Sequence, residues 1–221
     1  DLVSSNVMID GYAQNALCSE ASTLFMVMQH RGLFPDKITF ASMFKACASI
    51  SSFHRGKQLH AQILESRVKC DLFMGSTLID MYGKCGMLSE AERVLEEIPD
   101  RSVVSWSALI AGYIQAGQCH EALNCFEQMQ NEGLSPDEVT FVCVLSACSH
   151  SGLLVEAQML FGNMARKYNI SPSIEHQSCM LIFLGCAGQF DEVTSVIKVM
   201  ASCQYPDLWL VVLGACRKWG N

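Results

Sequence analysis

"GLFPDKITF" occupies residues 32–40, and "GLSPDEVTF" occupies residues 133–141, 101 positions further on. In both copies Gly-Leu and Pro-Asp close one regular stretch, because proline cannot extend a helix, and Thr-Phe opens the next apolar run. A turn this particular, repeated at so long an interval, raises the question of what shorter period fills the gap. "MIDGYAQNA" (8–16), "LIDMYGKCG" (78–86) and "LIAGYIQAG" (109–117) share apolar residues at helical spacing followed by Gly or Ala. Downstream of such segments runs an acidic-alanine step with an apolar trio, as in Glu20, Ala21, Leu24, Phe25, Met28 and in Glu121, Ala122, Cys125, Phe126, Met129. Glu90 with Ala91 and Glu156 with Ala157 open two more copies. Spacing of i, i+3, i+4, i+7 is one face of a helix, so each repeat reads as two helices.

Counting from turn to turn gives units at 2–36, 37–71, 72–102, 103–137, 138–173 and 174–205, of 35, 35, 31, 35, 36 and 32 residues. The first three of these fill the 101-residue interval. A lone hairpin of this size cannot bury both faces, so neighbours stack and share a core. The expected fold is all-α: a right-handed superhelical solenoid of helical hairpins whose first helices line an extended inner surface. Residues from 206 onward begin a further element.

Bulk properties restrict what such a surface binds. The 221 residues are half apolar, ample for a core, and carry a net charge of -7. That balance argues against gripping nucleic acid by a general basic surface, though not against reading bases. Most of the acidity falls on the second helices. The first helices hold Asp10, Asp80, Glu138 and Glu175 against Lys37, Lys45 and Lys84, which leaves the inner face near neutral. No stretch of 18 uncharged apolar residues marks a membrane span, and the start at Asp1, in the middle of the pattern, reads as a fragment with any targeting peptide upstream.

Twelve cysteines form neither a CxxC pair nor a Cys/His cluster of zinc spacing. Cys47, Cys148 and Cys216 each follow Ala, where a helix wants a small buried residue, so reduced and packed thiols are expected. His54, His60, His120, His150 and His176 show no i, i+4 partnership that would hold a metal. No catalytic residue, cofactor site or metal site is therefore expected.

Together, "KACAS", "GKQLHAQIL", "LIDMYGKCG", "VVSWSALIAGY", "PDEVTFVCVLSACSHSGLL" and "LGACRKWGN" closely resemble the plant pentatricopeptide repeat proteins of the PLS class, over the whole chain. The resemblance implies that units one and four are standard, two and five long, three and six short, and that an extension motif starts near residue 206. It also implies reading of single-stranded RNA at about one base per repeat. The implied readers are the fifth and last residues of each unit: Asn6 with Asp36, Ala41 with Asp71, Ser76 with Ser102, Ser107 with Asp137, Val142 with Ser173, and Ser178 with Tyr205. By the family's code the first pair favours U and the fourth favours G, while the other four are ambiguous.

Val3, Ile38, Phe73, Val104 and Val139, each second in its unit, would sandwich bases, and Glu175 suits that place poorly. Lys84 stands where family members present a base to the RNA backbone. Its counterparts Gln14, Ser49, Gln115, His150 and Cys186 carry no firm charge. Ser5 and Gln177 depart from the aromatic usual at their position.

The implied function is recognition of an organellar transcript, in mitochondrion or chloroplast, to position C-to-U editing or processing. The HxE and PCxxC elements of a deaminase do not occur in these 221 residues, so the resemblance implies a deaminase or other editing factor supplied elsewhere, in trans or further along the intact polypeptide. Two alternatives stand beside this reading: a protein-binding scaffold similar to tetratricopeptide solenoids, and a degenerate repeat without function.

Overall fold

The computed structural model describes residues 1–66, 68 and 70–186. These form eleven helices: α1 (Leu2–Gln14), α2 (Cys18–His30), α3 (Lys37–Ser49), α4 (Phe53–Glu65), α5 (Leu72–Lys84), α6 (Leu88–Glu97), α7 (Val103–Gln115), α8 (Cys119–Asn131), α9 (Glu138–Ser151), α10 (Leu154–Tyr168) and α11 (Ile174–Cys186). No strand occurs among the described residues. The chain divides into two compact units, Asp1–Ala116 carrying α1 to α7 and Gly117 onward carrying α8 to α11. Tyr205, Cys216, the second helix of the sixth repeat and the extension from residue 206 lie outside the described residues.

In the first unit the odd-numbered helices lie side by side, α1 on α3, α3 on α5 and α5 on α7. The even-numbered helices wedge behind them: α2 touches α1 and α3, α4 touches α3 and α5, and α6 touches α5 and α7. In the second unit α9 is central, packed against α8, α10 and α11.

The repeated turn is built from its own letters. Asp36 accepts a hydrogen bond from the Thr39 amide while the Thr39 hydroxyl returns to the Asp36 amide, a reciprocal cap that starts α3; Asp137 and Thr140 do the same for α9. The next residue, an aromatic, is thereby aimed at the second helix of the preceding hairpin. Phe40 meets Phe25 edge to face at 5.8 Å, and Phe141 meets Phe126 in the same geometry at 6.1 Å. All four rings are buried, so each pair joins consecutive hairpins through the core.

Where the turn sequence varies, the cap adapts. Ser102 and Ser105 make the reciprocal cap of α7, and Asp71 caps α5 through the Met74 amide alone, since Met74 has no hydroxyl to return.

Two small residues let α5 and α7 approach closely. A methyl group at Gly112 would lie 2.8 Å from the Gly83 Cα, and one at Gly83 would lie 3.0 Å from the Gly112 Cα, so α5 and α7 touch backbone to backbone. At the turns inside the hairpins, Gly86 takes a left-handed conformation (φ 74°), but Ala16 (57°) and Ser51 (52°) adopt it without glycine's freedom.

The cysteines within alanine-rich helix segments are packing residues. Cys47 and Cys148 are fully buried, and burial pushes their thiols up to about 12 and about 11, which leaves them un-ionised and poor nucleophiles at neutral pH. Among the described residues no group of three or more His, Cys, Asp or Glu side chains could hold a metal ion.

Two outcomes test this packing by thermal melts followed by circular dichroism. Gly112→Ala forces α7 off α5 and lowers stability by about 1–3 kcal/mol, the usual cost of overpacking. Ala16→Gly relieves the left-handed strain and raises stability by up to about 1 kcal/mol.

Candidate nucleic-acid interface

Six first helices start in equivalent places, so residues at one register can be compared directly. At the second register Val3, Ile38, Phe73, Val104 and Val139 all project from the surface, with 51–71% of their area exposed. Exposed branched and aromatic residues at five successive helix starts are the opposite of what core packing requires. In the first unit, where the odd helices lie side by side, Val3, Ile38, Phe73 and Val104 follow one another along the same edge. Glu175 occupies this register on α11, and the Ser173 hydroxyl holds its carboxyl below the usual range.

At the fifth register the side chains are inside. Asn6, Ala41, Ser76 and Ser107 are each at most 9% exposed, whereas Val142 and Ser178 are half-buried. A polar residue one step before an apolar pair reads equally well as solvated; its burial follows from the neighbouring first helix, which the local pattern does not reveal.

Asn6 is held at both ends of its amide by the start of the next hairpin. Its Nδ2 donates to Asp36 Oδ1 at 3.1 Å, and the Thr39 hydroxyl lies 2.6 Å from its Oδ1. Asp36 Oδ1 also accepts from the Thr39 amide at 2.8 Å. Partial burial works against ionisation of Asp36, but the hydrogen bonds from Thr39 and Asn6 outweigh it and hold the carboxyl below its ordinary value. The two implied readers of the first repeat thus touch each other.

The other positions differ. The Ser76 hydroxyl donates to the Leu72 carbonyl at 2.9 Å, and Ser102 serves as the α7 cap. Asp71 is exposed, with its carboxyl held low by the Met74 amide and by Lys37, whose ammonium lies 3.1 Å away. Ser173 bonds His176, which is completely buried and takes the place that Thr39 and Thr140 hold in their caps. Since the Ser173 amide donates to His176 Nδ1, the ring proton sits on Nε2 and is donated to the Glu138 carbonyl at 2.8 Å.

The electrostatics of the first helices are self-contained. Lys84 pairs with Asp80 at 2.8 Å, Lys45 with Asp10 at 3.7 Å, and Lys37 with Asp71. Asp10 also accepts from Gln14 and from Ser42 on the adjacent helix, making it a small hub across the α1–α3 seam. The Asp10–Lys45 pair was missed by sequence reasoning. Its partners stand 35 residues apart, and only a one-repeat offset of like registers would have found it.

Paired helices that bury polar groups at one register and leave apolar groups bare at another define an α-helical repeat protein. Residues 1–49 and 101–150 match the model of the PPR repeat family, and residues 76–103 and 139–168 match that of the PPR repeat. These matches cover more than half of the sequence, and the chain belongs to the pentatricopeptide repeat (PPR) family.

Its relatives include the pentatricopeptide repeat-containing protein At4g16470 of Arabidopsis thaliana, 38% identical over 221 residues, covering 100% of this chain and 44% of the relative. CRR2, chloroplastic, of the same plant is 40% identical over 223 residues, covering 100% of this chain and 34% of its own. At1g77170, mitochondrial, also from Arabidopsis thaliana, is 37% identical over 222 residues, covering 100% and 48%. The chain thus spans less than half the length of these curated relatives.

Among solved structures, maize PPR10 superposes with a TM-score of 0.73 at 24% identity, covering 96% of this chain and 31% of PPR10. PPR10 in complex with an 18-nt psaJ RNA element gives 0.80 at 23% identity, covering 98% and 31%. Both likenesses concern the fold.

The low carboxyl of Asp36 makes a pH prediction. Its contribution to stability is complete above its unfolded value, about pH 4, and is lost as pH falls through the lower folded value. Asp36→Asn, which keeps a competent helix cap, is expected to flatten that acid limb in melts recorded across the acid range, with little change at neutral pH.

Proposed function

We propose that this chain binds single-stranded RNA in a sequence-specific manner, about one base per hairpin, with the repeats divided at 2–36, 37–71, 72–102, 103–137, 138–173 and 174–205. The observation that carries the reading is the exposed apolar row Val3, Ile38, Phe73 and Val104 in the first unit, with Val139 likewise exposed at the start of α9 in the second, beside buried polar groups such as Asn6. Flat bases stack against exposed apolar and aromatic side chains whatever their identity, and the polar groups beneath select among them. PPR10 of the same fold has been solved with an RNA element, which supports extending that ligand class to this chain.

In this proposal Asn6 and Asp36 favour U, and Ser107 with Asp137 favours G. Ala41 and Val142 offer no hydrogen bond, so the second and fifth hairpins contribute stacking more than identity. The PLS pattern of standard, long and short units, and an extension starting near residue 206, belong to the same proposal. So does the role of specificity factor for editing or processing of an organellar transcript, with a deaminase or other factor supplied in trans. Relatives designated chloroplastic and mitochondrial support the organellar setting.

The paired lysines bear on how the RNA is held. Each first-helix lysine in the first unit already faces a carboxylate, so drawing a phosphate to Lys84 displaces Asp80. Binding should lean on stacking and hydrogen bonds more than on counterion release.

A filter-binding titration with single-stranded RNA carrying U and G three positions apart tests the reading. Tighter binding to this ligand than to its scrambled counterpart at moderate salt is expected. The affinity should fall with salt at a log–log slope no steeper than about -2, since each neutralised phosphate of a single strand contributes about -0.7. Equal binding of the scrambled RNA would favour a protein-binding platform.

A further inference from the structure

The fifth-register asparagine of the first hairpin and the N-cap of the second are joined by a third group. Thr39 is completely buried, and its hydroxyl lies 2.6 Å from Asn6 Oδ1 and 2.8 Å from Asp36 Oδ1. Chemistry fixes the orientation of the amide in this cluster. A carboxylate only accepts, so the Asn6 atom facing Asp36 must be the NH2 group, and its carbonyl oxygen must then turn to the one hydroxyl available, that of Thr39. The ambiguity that usually attends an amide side chain is removed by its two neighbours.

The consequence is a defined set of free atoms. The bonds from Asn6 and Thr39 fall on Asp36 Oδ1 and use one Nδ2 proton of Asn6, while the Ile38 amide also supports the carboxylate, so the second Nδ2 proton and the lone pairs of Asp36 Oδ2 have capacity to spare. They present a donor beside an acceptor. Uracil complements that order with a carbonyl beside its N3–H. Cytosine in the same pose sets an amino group against the donor and a bare ring nitrogen against the carboxylate.

We propose that Thr39 is a positioning residue for base identity: by holding the Asn6 carbonyl it keeps the amide donor outward, and so makes the first hairpin discriminate uracil from cytosine. The inference rests on the RNA-binding reading above and deepens it. It makes recognition by one hairpin depend on the third residue of the next. Thr140 repeats the Thr39 cap chemistry at Asp137, whereas Met74 at this register cannot, and there Asp71 turns to Lys37 instead.

The test uses the whole chain and four labelled oligonucleotides read by fluorescence anisotropy: the U-and-G ligand, its C-for-U counterpart, its A-for-G counterpart and a scrambled control. Wild type should prefer U over C. Thr39→Val should shrink that preference about five-fold, the worth of one hydrogen bond, while discrimination at the G position stays as in wild type. Thr39→Ser, which restores the hydroxyl, should keep the preference.

A Thr39→Val protein that weakens on the U and C ligands alike would show a purely structural role and overturn the proposal, as would an unchanged ratio. A wild type that binds the scrambled control equally well overturns the RNA-binding reading itself, which sets that failure apart. Should Thr39→Val fail to fold, hydrogen exchange of the Asn6 side-chain amide in the wild-type protein decides. One slowed proton and one freely exchanging proton are expected, and two freely exchanging protons overturn the arrangement.

Discussion

Consecutive first helices in the amino-terminal unit lie close enough that a side chain on one reaches the cap of the next. That proximity is the constraint from which the candidate interface follows. It needs small residues at the crossing, as at Gly83 and Gly112, where the two backbones meet without side chains between them. It also needs each first helix to begin at a fixed point, which side-chain N-caps supply: Asp1 for α1, Asp36 with Thr39 for α3, Asp71 for α5 and Ser102 with Ser105 for α7. With start and separation both fixed, like registers of α1, α3, α5 and α7 come into line, and the second residues are left outside while the fifth are drawn in.

The quoted turn shows how much of this was legible from residues alone. Pro-Asp forecast the end of one helix and the start of the next, and the periodic apolar residues forecast paired helices without strands among the described residues. What the turn did not reveal is why Phe follows Thr: the ring is the lateral bolt onto the preceding hairpin, Phe40 on Phe25 and Phe141 on Phe126. Periodicity marks which face of a helix is apolar. It carries no information about which other face is apolar and buried against a neighbour one repeat away.

The same limitation applies to the polar residues. From residue type alone Asn6 reads equally well as a solvated, capping or base-contacting group, and Asp36 and Thr39, 30 and 33 positions later, engage it. Lys45 entered only as one positive charge of the inner face, and its partner, Asp10 on the previous helix, went unseen. Both contacts connect residues of nearly equal register in adjacent repeats. Their logic is lateral, and a reading that runs along the chain meets the partners too far apart to join them. The exposed second-register residues, by contrast, were singled out by the family resemblance, and their exposure depends on a single hairpin rather than on a partner one repeat away.

The Asn6–Asp36–Thr39 cluster straddles the turn that conventionally divides one repeat from the next. Cutting a chimera at that boundary, after Asp36, would hand Asn6 and Asp36 to one donor protein and Thr39 to another. A join placed just after Thr39, between the third and fifth residues of α3, would keep all three together, so the natural interchangeable block of such a protein is offset by a few residues from the unit that its sequence displays.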